Sequence, residues 1–158
     1  ATAIRAKMTA SDLEELDLSY APPYSSAKDP VNMAGFTIEN LRTGIVRHHH
    51  WKDLENLPQD GSIVLLDVRT KQEYAFGAIP GSINIPLDEL RENIDKLDPE
   101  KKIYVNCYSG LRSYIACRIL TGKGFWCSNL SGGYRFYEQV MQDKAYDTTP
   151  KHPCGINI

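Results

Sequence analysis

Apolar residues change period along this chain, and the change predicts its elements. From residue 45 onward, short runs rich in β-branched and aromatic residues read as buried strands near Ile45–His48, Ile63–Asp67, Ser82–Ile85, Ile103–Asn106 and Trp126–Leu130. Between them, helical spacing predicts helices over Trp51–Leu57, Lys71–Phe76, Leu87–Lys96, Gly110–Leu120 and Gly133–Gln142. Leu87, Leu90, Ile94 and Leu97 form one stripe at that spacing. Strict alternation of strand and helix implies an α/β fold: a five-stranded, mainly parallel sheet with helices on both faces and a site at the C-terminal strand ends. Residues 1–40 look different. Asp12-Leu-Glu-Glu-Leu-Asp-Leu18 predicts one helix, and the Pro-Pro and Ser-Ser of the 21–32 stretch predict an extended arm. Such a segment has too little apolar surface to fold alone, so it is expected to be ordered against another surface through Leu13, Leu16 and Leu18. The expected organisation is therefore 1–40, a domain over 45–145, and a tail over 146–158.

Charge and composition narrow the function. The net charge is −2, with four basic against six acidic residues in 1–44 and a neutral remainder, which argues against a nucleic-acid partner. No apolar run approaches a membrane span, no signal-peptide pattern opens the chain, and no Gly-x-Gly-x-x-Gly is present. Four cysteines without a Cys-x-x-Cys pair fit a reducing cytoplasm better than a disulfide-stapled domain. A first residue other than Met suggests a piece of a longer protein.

The chemistry concentrates in Cys107-Tyr-Ser-Gly-Leu-Arg112-Ser113, between a predicted strand and a predicted helix. A cysteine there faces loop N–H groups and a helix N-terminus, both of which favour the thiolate over the thiol. Arg112 closes the loop and is placed to orient an anionic donor. Tyr108, Ser109, Gly110, Leu111 and Ser113 line the loop as substrate-binding positions. A ring this small suits one sulfur atom. Cysteine phosphatases place five residues between their cysteine and arginine; four stand here, which is too tight for a phosphoryl group.

This loop resembles the active-site loop of the rhodanese (sulfurtransferase) family. The resemblance continues through Leu66-Asp-Val-Arg69, Glu73-Tyr74, Gly77-Ala-Ile-Pro-Gly-Ser-Ile-Asn-Ile-Pro86 and Asn129-Leu-Ser-Gly-Gly-Tyr134, in family order. One departure is Ala78, where the family usually has histidine. The resemblance implies that Cys107 carries sulfane sulfur as a persulfide, taken from a small donor of the thiosulfate, persulfide or coenzyme A persulfide class and passed to a thiol acceptor. Degenerate, non-catalytic modules of the family commonly lack this cysteine. Leu16 to Asn32 resembles the end of the dimerisation domain of the coenzyme A-disulfide reductases among the pyridine nucleotide-disulfide oxidoreductases, some of which carry a C-terminal rhodanese domain. That resemblance implies a homodimeric parent using FAD, NADH and coenzyme A, with no cofactor held by this chain itself. Tyr20 and Tyr24 are candidates to approach a partner's active site.

Other residues read more plainly. Asp67, Arg69 and Glu73 are expected to form a structural ion pair fixing a strand end. Gly132-Gly133 lets backbone approach the pocket wall and starts the last helix. His48, His49 and His50 alternate faces on a strand, so a metal site is not expected. Cys117 and Cys127 read as core residues, and Cys154 is a candidate resolving thiol in the tail.

Overall fold

A computed structural model describes residues 1–18, 23–24 and 29–146. The chain divides into two compact units, Ala1–Arg47 and His48–Ile158.

The first unit holds three helices: α1 (Thr2–Arg5), α2 (Ala10–Glu14) and α3 (Pro30–Arg42). The predicted extended arm ends in a thirteen-residue helix instead. Asp29 and Pro30 explain the difference: Asp29 accepts from the Val31 N–H at 2.8 Å as N-cap, and Pro30 occupies the first turn, where its missing N–H is not needed. Within a stretch whose sequence predicts an extended arm, Pro30 thus begins a helix. The helix expected over Asp12–Leu18 is shorter and earlier, started by a reciprocal cap between Thr9 and Asp12. α2 and α3 pack closely, since a Cβ on Gly35 would sit 2.8 Å from the Ala10 carbonyl oxygen. Buried Asn32 reaches from α3 to the Leu13 and Leu16 carbonyls at 2.9 and 3.1 Å, covering acceptors that the end of α2 leaves open. Tyr24 is fully exposed at 90%. Tyr20 and the 147–158 tail, with Cys154, lie outside the described residues.

The second unit is built on one five-stranded sheet: β1 (Arg47–His49), β2 (Ile63–Asp67), β3 (Ile83–Asn84), β4 (Lys102–Asn106) and β5 (Cys127–Leu130), in the order β1-β5-β4-β2-β3. β2 pairs in parallel with β3 and β4, and β4 with β5. Side chains alternate across the sheet. Leu66, Val105, Cys127 and Asn129 share the face covered by α6 (Leu111–Gly122), where Ala116, Cys117 and Leu120 are buried. Leu65 and Leu130 share the other face with Leu54 of α4 (Trp51–Leu54) and with Tyr134 and Tyr137 of α7 (Gly133–Tyr146). α5 (Lys71–Ala75) follows β2. The strand order reverses between β2 and β4, whose C-terminal ends meet in register at Asp67 and Asn106. A crevice opens at such a switch point.

One predicted helix is absent. Over Leu87–Lys96 the chain forms two short 3₁₀ turns, Leu87–Glu89 and Ile94–Lys96. Pro86 sets an extended entry, and the Asn93 side chain donates to the Glu89 carbonyl at 2.8 Å, offering the backbone a turn instead of a continuing helix. Leu90 and Leu97 are nonetheless buried, so the apolar stripe is met by turns.

Candidate active site

Cys107 follows the last residue of β4, and its residue surface is 1% exposed. The chain then turns at Gly110, whose φ of +112° is open to glycine at low cost, and enters α6. Of the loop N–H groups expected to converge on the sulfur, that of Gly110 donates to Cys107 Sγ at 3.1 Å. The Ser113 hydroxyl lies 3.2 Å from the same atom. Donors at the N-terminal end of a twelve-residue helix favour an anionic sulfur. Tyr108 (44% exposed) and Leu111 (63%) stand with Ser109 on the solvent side of the loop. A cavity of about 400 Å³, lined by Leu54, Ile63, Leu65, Ile79, Tyr137 and Met141, includes no loop residue.

The loop carbonyls are pulled outward by α7. The Tyr134 N–H donates to the Cys107 carbonyl at 2.7 Å and the Arg135 N–H to that of Tyr108 at 3.0 Å. These N–H groups open a helix and would otherwise lack partners. The approach demands glycine at 133: φ is +64°, and a Cβ would meet Tyr108 O at 2.6 Å and Cys107 O at 2.7 Å. Backbone approach at Gly132-Gly133 was expected from sequence, but not that its target is the cysteine loop itself.

The ion pairs divide differently from expectation. Arg69 does clamp Asp67, with Nε at 2.9–3.0 Å from both carboxylate oxygens and a second nitrogen at 2.7 Å, all buried. Arg69 also donates to the Gly77 carbonyl at 2.6 Å and stacks on the Tyr134 ring at 4.0 Å, joining β2, the 77 turn and α7. Glu73 belongs elsewhere. Its two oxygens accept from both terminal nitrogens of Arg112 at 2.7 Å, closing the cysteine loop against α5. The same carboxylate accepts from the Thr70 N–H at 3.0 Å in the capping box of α5. Charge-assisted bonding to Arg112 holds its carboxyl down at about 2. Arg112 is correspondingly raised, so its positive charge is fixed and locally neutralised. Glu73 and Arg112 are 39 residues apart, beyond any local spacing rule.

The remaining candidates are accounted for by packing. His49 turns inward onto Ser128 Oγ at 3.0 Å and edge-on to Tyr104 at 5.1 Å; burial pushes its imidazole down to about 4. His48 is lowered too, chiefly by burial. Cys117 and Cys127 are buried; the Cys127 thiol donates to the Cys117 carbonyl at 3.3 Å, and a side-chain hydrogen bond with Cys127, followed by burial, pushes the Cys117 thiol upward. Asn129, the first residue of the Asn129–Tyr134 motif, donates to the Gly110 carbonyl at 3.2 Å, a role with no local sequence signal.

Known proteins share this fold. The reduced CoADR-RHD protein of Bacillus anthracis is 46% identical, with a TM-score of 0.84 over 90% of this chain and 25% of its own. A NAD-dependent persulfide reductase from A. fulgidus is 41% identical, with a TM-score of 0.71 over 85% of this chain and 24% of its own. The chain thus spans about a quarter of the length of those two proteins. A sulfurtransferase of Allochromatium vinosum is 31% identical over 80 residues, half of this chain and 75% of that protein. The rhodanese-like domain family matches residues 50–139, which contain the whole sheet from β2 to β5 and the cysteine loop with its clamps, and the chain belongs to that family.

Proposed function

We propose that this domain carries sulfane sulfur as a persulfide on Cys107. The observation that carries the reading is the four-residue loop from Cys107 to Arg112, with Gly110 N–H and Ser113 Oγ both within hydrogen-bond range of the sulfur. The thiolate attacks the outer sulfur of a donor; with thiosulfate, the S–S bond breaks and sulfite leaves with the electron pair, giving Cys–S–S⁻. An acceptor then attacks the outer sulfur. Cyanide leaves as thiocyanate and a thiol as its persulfide, and Cys107 returns as thiolate. The protein's contribution is a fixed set of donors around the anion.

The likeness to the Bacillus anthracis protein covers 90% of the chain and so includes part of the Ala1–Arg47 unit. That supports reading this unit as the end of a reductase domain, which we take to be the dimerisation domain of a homodimeric, cytoplasmic parent. In that parent, NADH-dependent reduction of a coenzyme A disulfide or persulfide is coupled to the Cys107 site. FAD, NADH and coenzyme A then belong to the reductase half, since this chain carries no dinucleotide-binding glycine motif.

Thiocyanate release from thiosulfate and cyanide tests the reading, with aryl phosphate hydrolysis run alongside. Thiocyanate turnover that disappears in Cys107→Ala, with negligible phosphate release, is the expected result. Aryl phosphate turnover comparable to sulfur transfer would overturn it.

A further inference from the structure

The carbonyl of Gly110 has more donors around it than it can accept. The Tyr114 N–H lies at 3.0 Å, the Asn129 amide at 3.2 Å and the Ser113 hydroxyl at 3.1 Å. A backbone carbonyl offers two lone pairs. Tyr114 holds one through the first backbone bond of α6, which the helix enforces. Asn129 and Ser113 compete for the other.

Ser113 has an alternative. Its oxygen is also 3.2 Å from Cys107 Sγ, and it has one proton to give. A serine in the first turn of a helix tends to donate to a nearby backbone carbonyl. Asn129 has no such alternative among the described residues. It arrives from β5, is 3% exposed, and its Oδ1 has no partner among the described residues. Turning the amide over would set Oδ1 against the Gly110 oxygen, so the contact itself assigns the nitrogen to that side.

We infer that Asn129 is a positioning residue: by filling the second lone pair of the Gly110 carbonyl, it sends the single hydroxyl proton of Ser113 to the sulfur of Cys107. The sulfur then receives two donors, Gly110 N–H and Ser113 O–H, both set by residue 110. The thiolate is held in this way before it attacks a donor and again when it leaves the outer sulfur to an acceptor. The inference rests on the proposed function for the identity of Cys107 as the reacting thiol.

The charged and titratable groups around the sulfur are Arg112 with Glu73, the Asp67–Arg69 pair and the Cys117 thiol, and they are the same in every variant below. The test follows the ultraviolet absorbance of the Cys107 thiolate against pH in the full chain, with Cys107→Ser as blank. Asn129→Leu removes the amide donor and the unpartnered Oδ1 together. It is expected to displace the profile to higher pH, lowering the thiolate-to-thiol ratio roughly three- to tenfold, the worth of one hydrogen bond to a charged sulfur. Ser113→Ala is expected to do the same, and adding Asn129→Leu to it to change nothing further. Ser113→Thr, which keeps the hydroxyl, is expected to retain the wild-type profile. A wild-type profile in Asn129→Leu, or effects of Asn129→Leu and Ser113→Ala that add, would overturn the inference. Where Asn129→Leu does not fold by circular dichroism, Asn129→Val replaces it as a strand-compatible variant. A wild-type profile in Ser113→Ala overturns the inference on its own. Thiocyanate release measured on the same samples separates the two claims. Shifted profiles with no transfer by any protein refute the proposed function alone, and transfer with unshifted profiles refutes the inference alone.

Discussion

Glu73→Gln removes the charge that faces Arg112 while keeping an acceptor for Thr70, so it isolates the loop clamp from the helix cap. A carboxyl held at about 2 instead of 4.5 sets a ceiling of roughly 3 kcal/mol on its contribution. Each partner keeps 33% of its side chain in water, and screening there brings the expected loss near neutral pH to about 1–2 kcal/mol. For a domain of this size that is a fall in Tm of roughly 5–10 °C. The dependence on pH is the sharper feature. Glu73 is depressed in the folded state, so its stabilisation is fully present above 4.5 and is lost as pH falls toward about 2. Urea unfolding of wild type and Glu73→Gln at a series of pH values should therefore show a gap that is widest near neutrality and closes through that window. Glu73→Gln should also leave the Arg112 cation uncovered beside the loop, lowering KM for dianionic thiosulfate several-fold at low salt and less at high salt. A stability gap independent of pH, with an unchanged KM, would refute the reasoning, because the clamp would then carry neither the linked proton nor the masked charge.

Three further outcomes follow from neighbouring features. His49 is buried as neutral imidazole, so stability should fall by about 1–3 kcal/mol as pH drops from 6.5 to about 4, while the unfolded chain gains a proton the folded one refuses; His49→Phe should flatten that limb in urea titrations. Gly133→Ala should destabilise by roughly 2–4 kcal/mol and reduce thiocyanate release, since a Cβ meets the loop carbonyls at 2.6–2.7 Å at a positive φ; a variant with wild-type Tm would contradict the close approach. Inserting one glycine between Tyr108 and Leu111 should abolish sulfur transfer and, by widening the ring, raise hydrolysis of aryl phosphate above the wild-type background.

The elements legible in sequence are those whose local pattern and tertiary setting agree. Ile63–Leu66 is a continuous apolar run because β2 lies inside the sheet, and the structure places the strand over Ile63–Asp67. The cysteine loop was legible because strand, glycine and helix follow one another within a few residues. Where the deciding contact is distant, local reading misassigned it. Glu73 sits four residues from Arg69, yet Arg69 is taken by Asp67 and Glu73 closes on Arg112 across the fold. Leu87 to Leu97 has helical spacing, but Pro86 and Asn93 divert the backbone into turns that bury the same leucines. The start of α3 inside the expected 21–32 arm escapes local reading, because nothing local distinguishes an N1 proline at 30 from a loop proline except the Asp before it.

Intact mass of the chain after incubation with thiosulfate and, separately, with coenzyme A persulfide tests the central claim most directly. The expected result is the gain of one sulfur atom, located on Cys107 by peptide mapping, removed by cyanide, and absent from Cys107→Ser. A chain that gains no sulfur from either donor, or that carries it on another cysteine in the presence of an intact Cys107, would contradict the account.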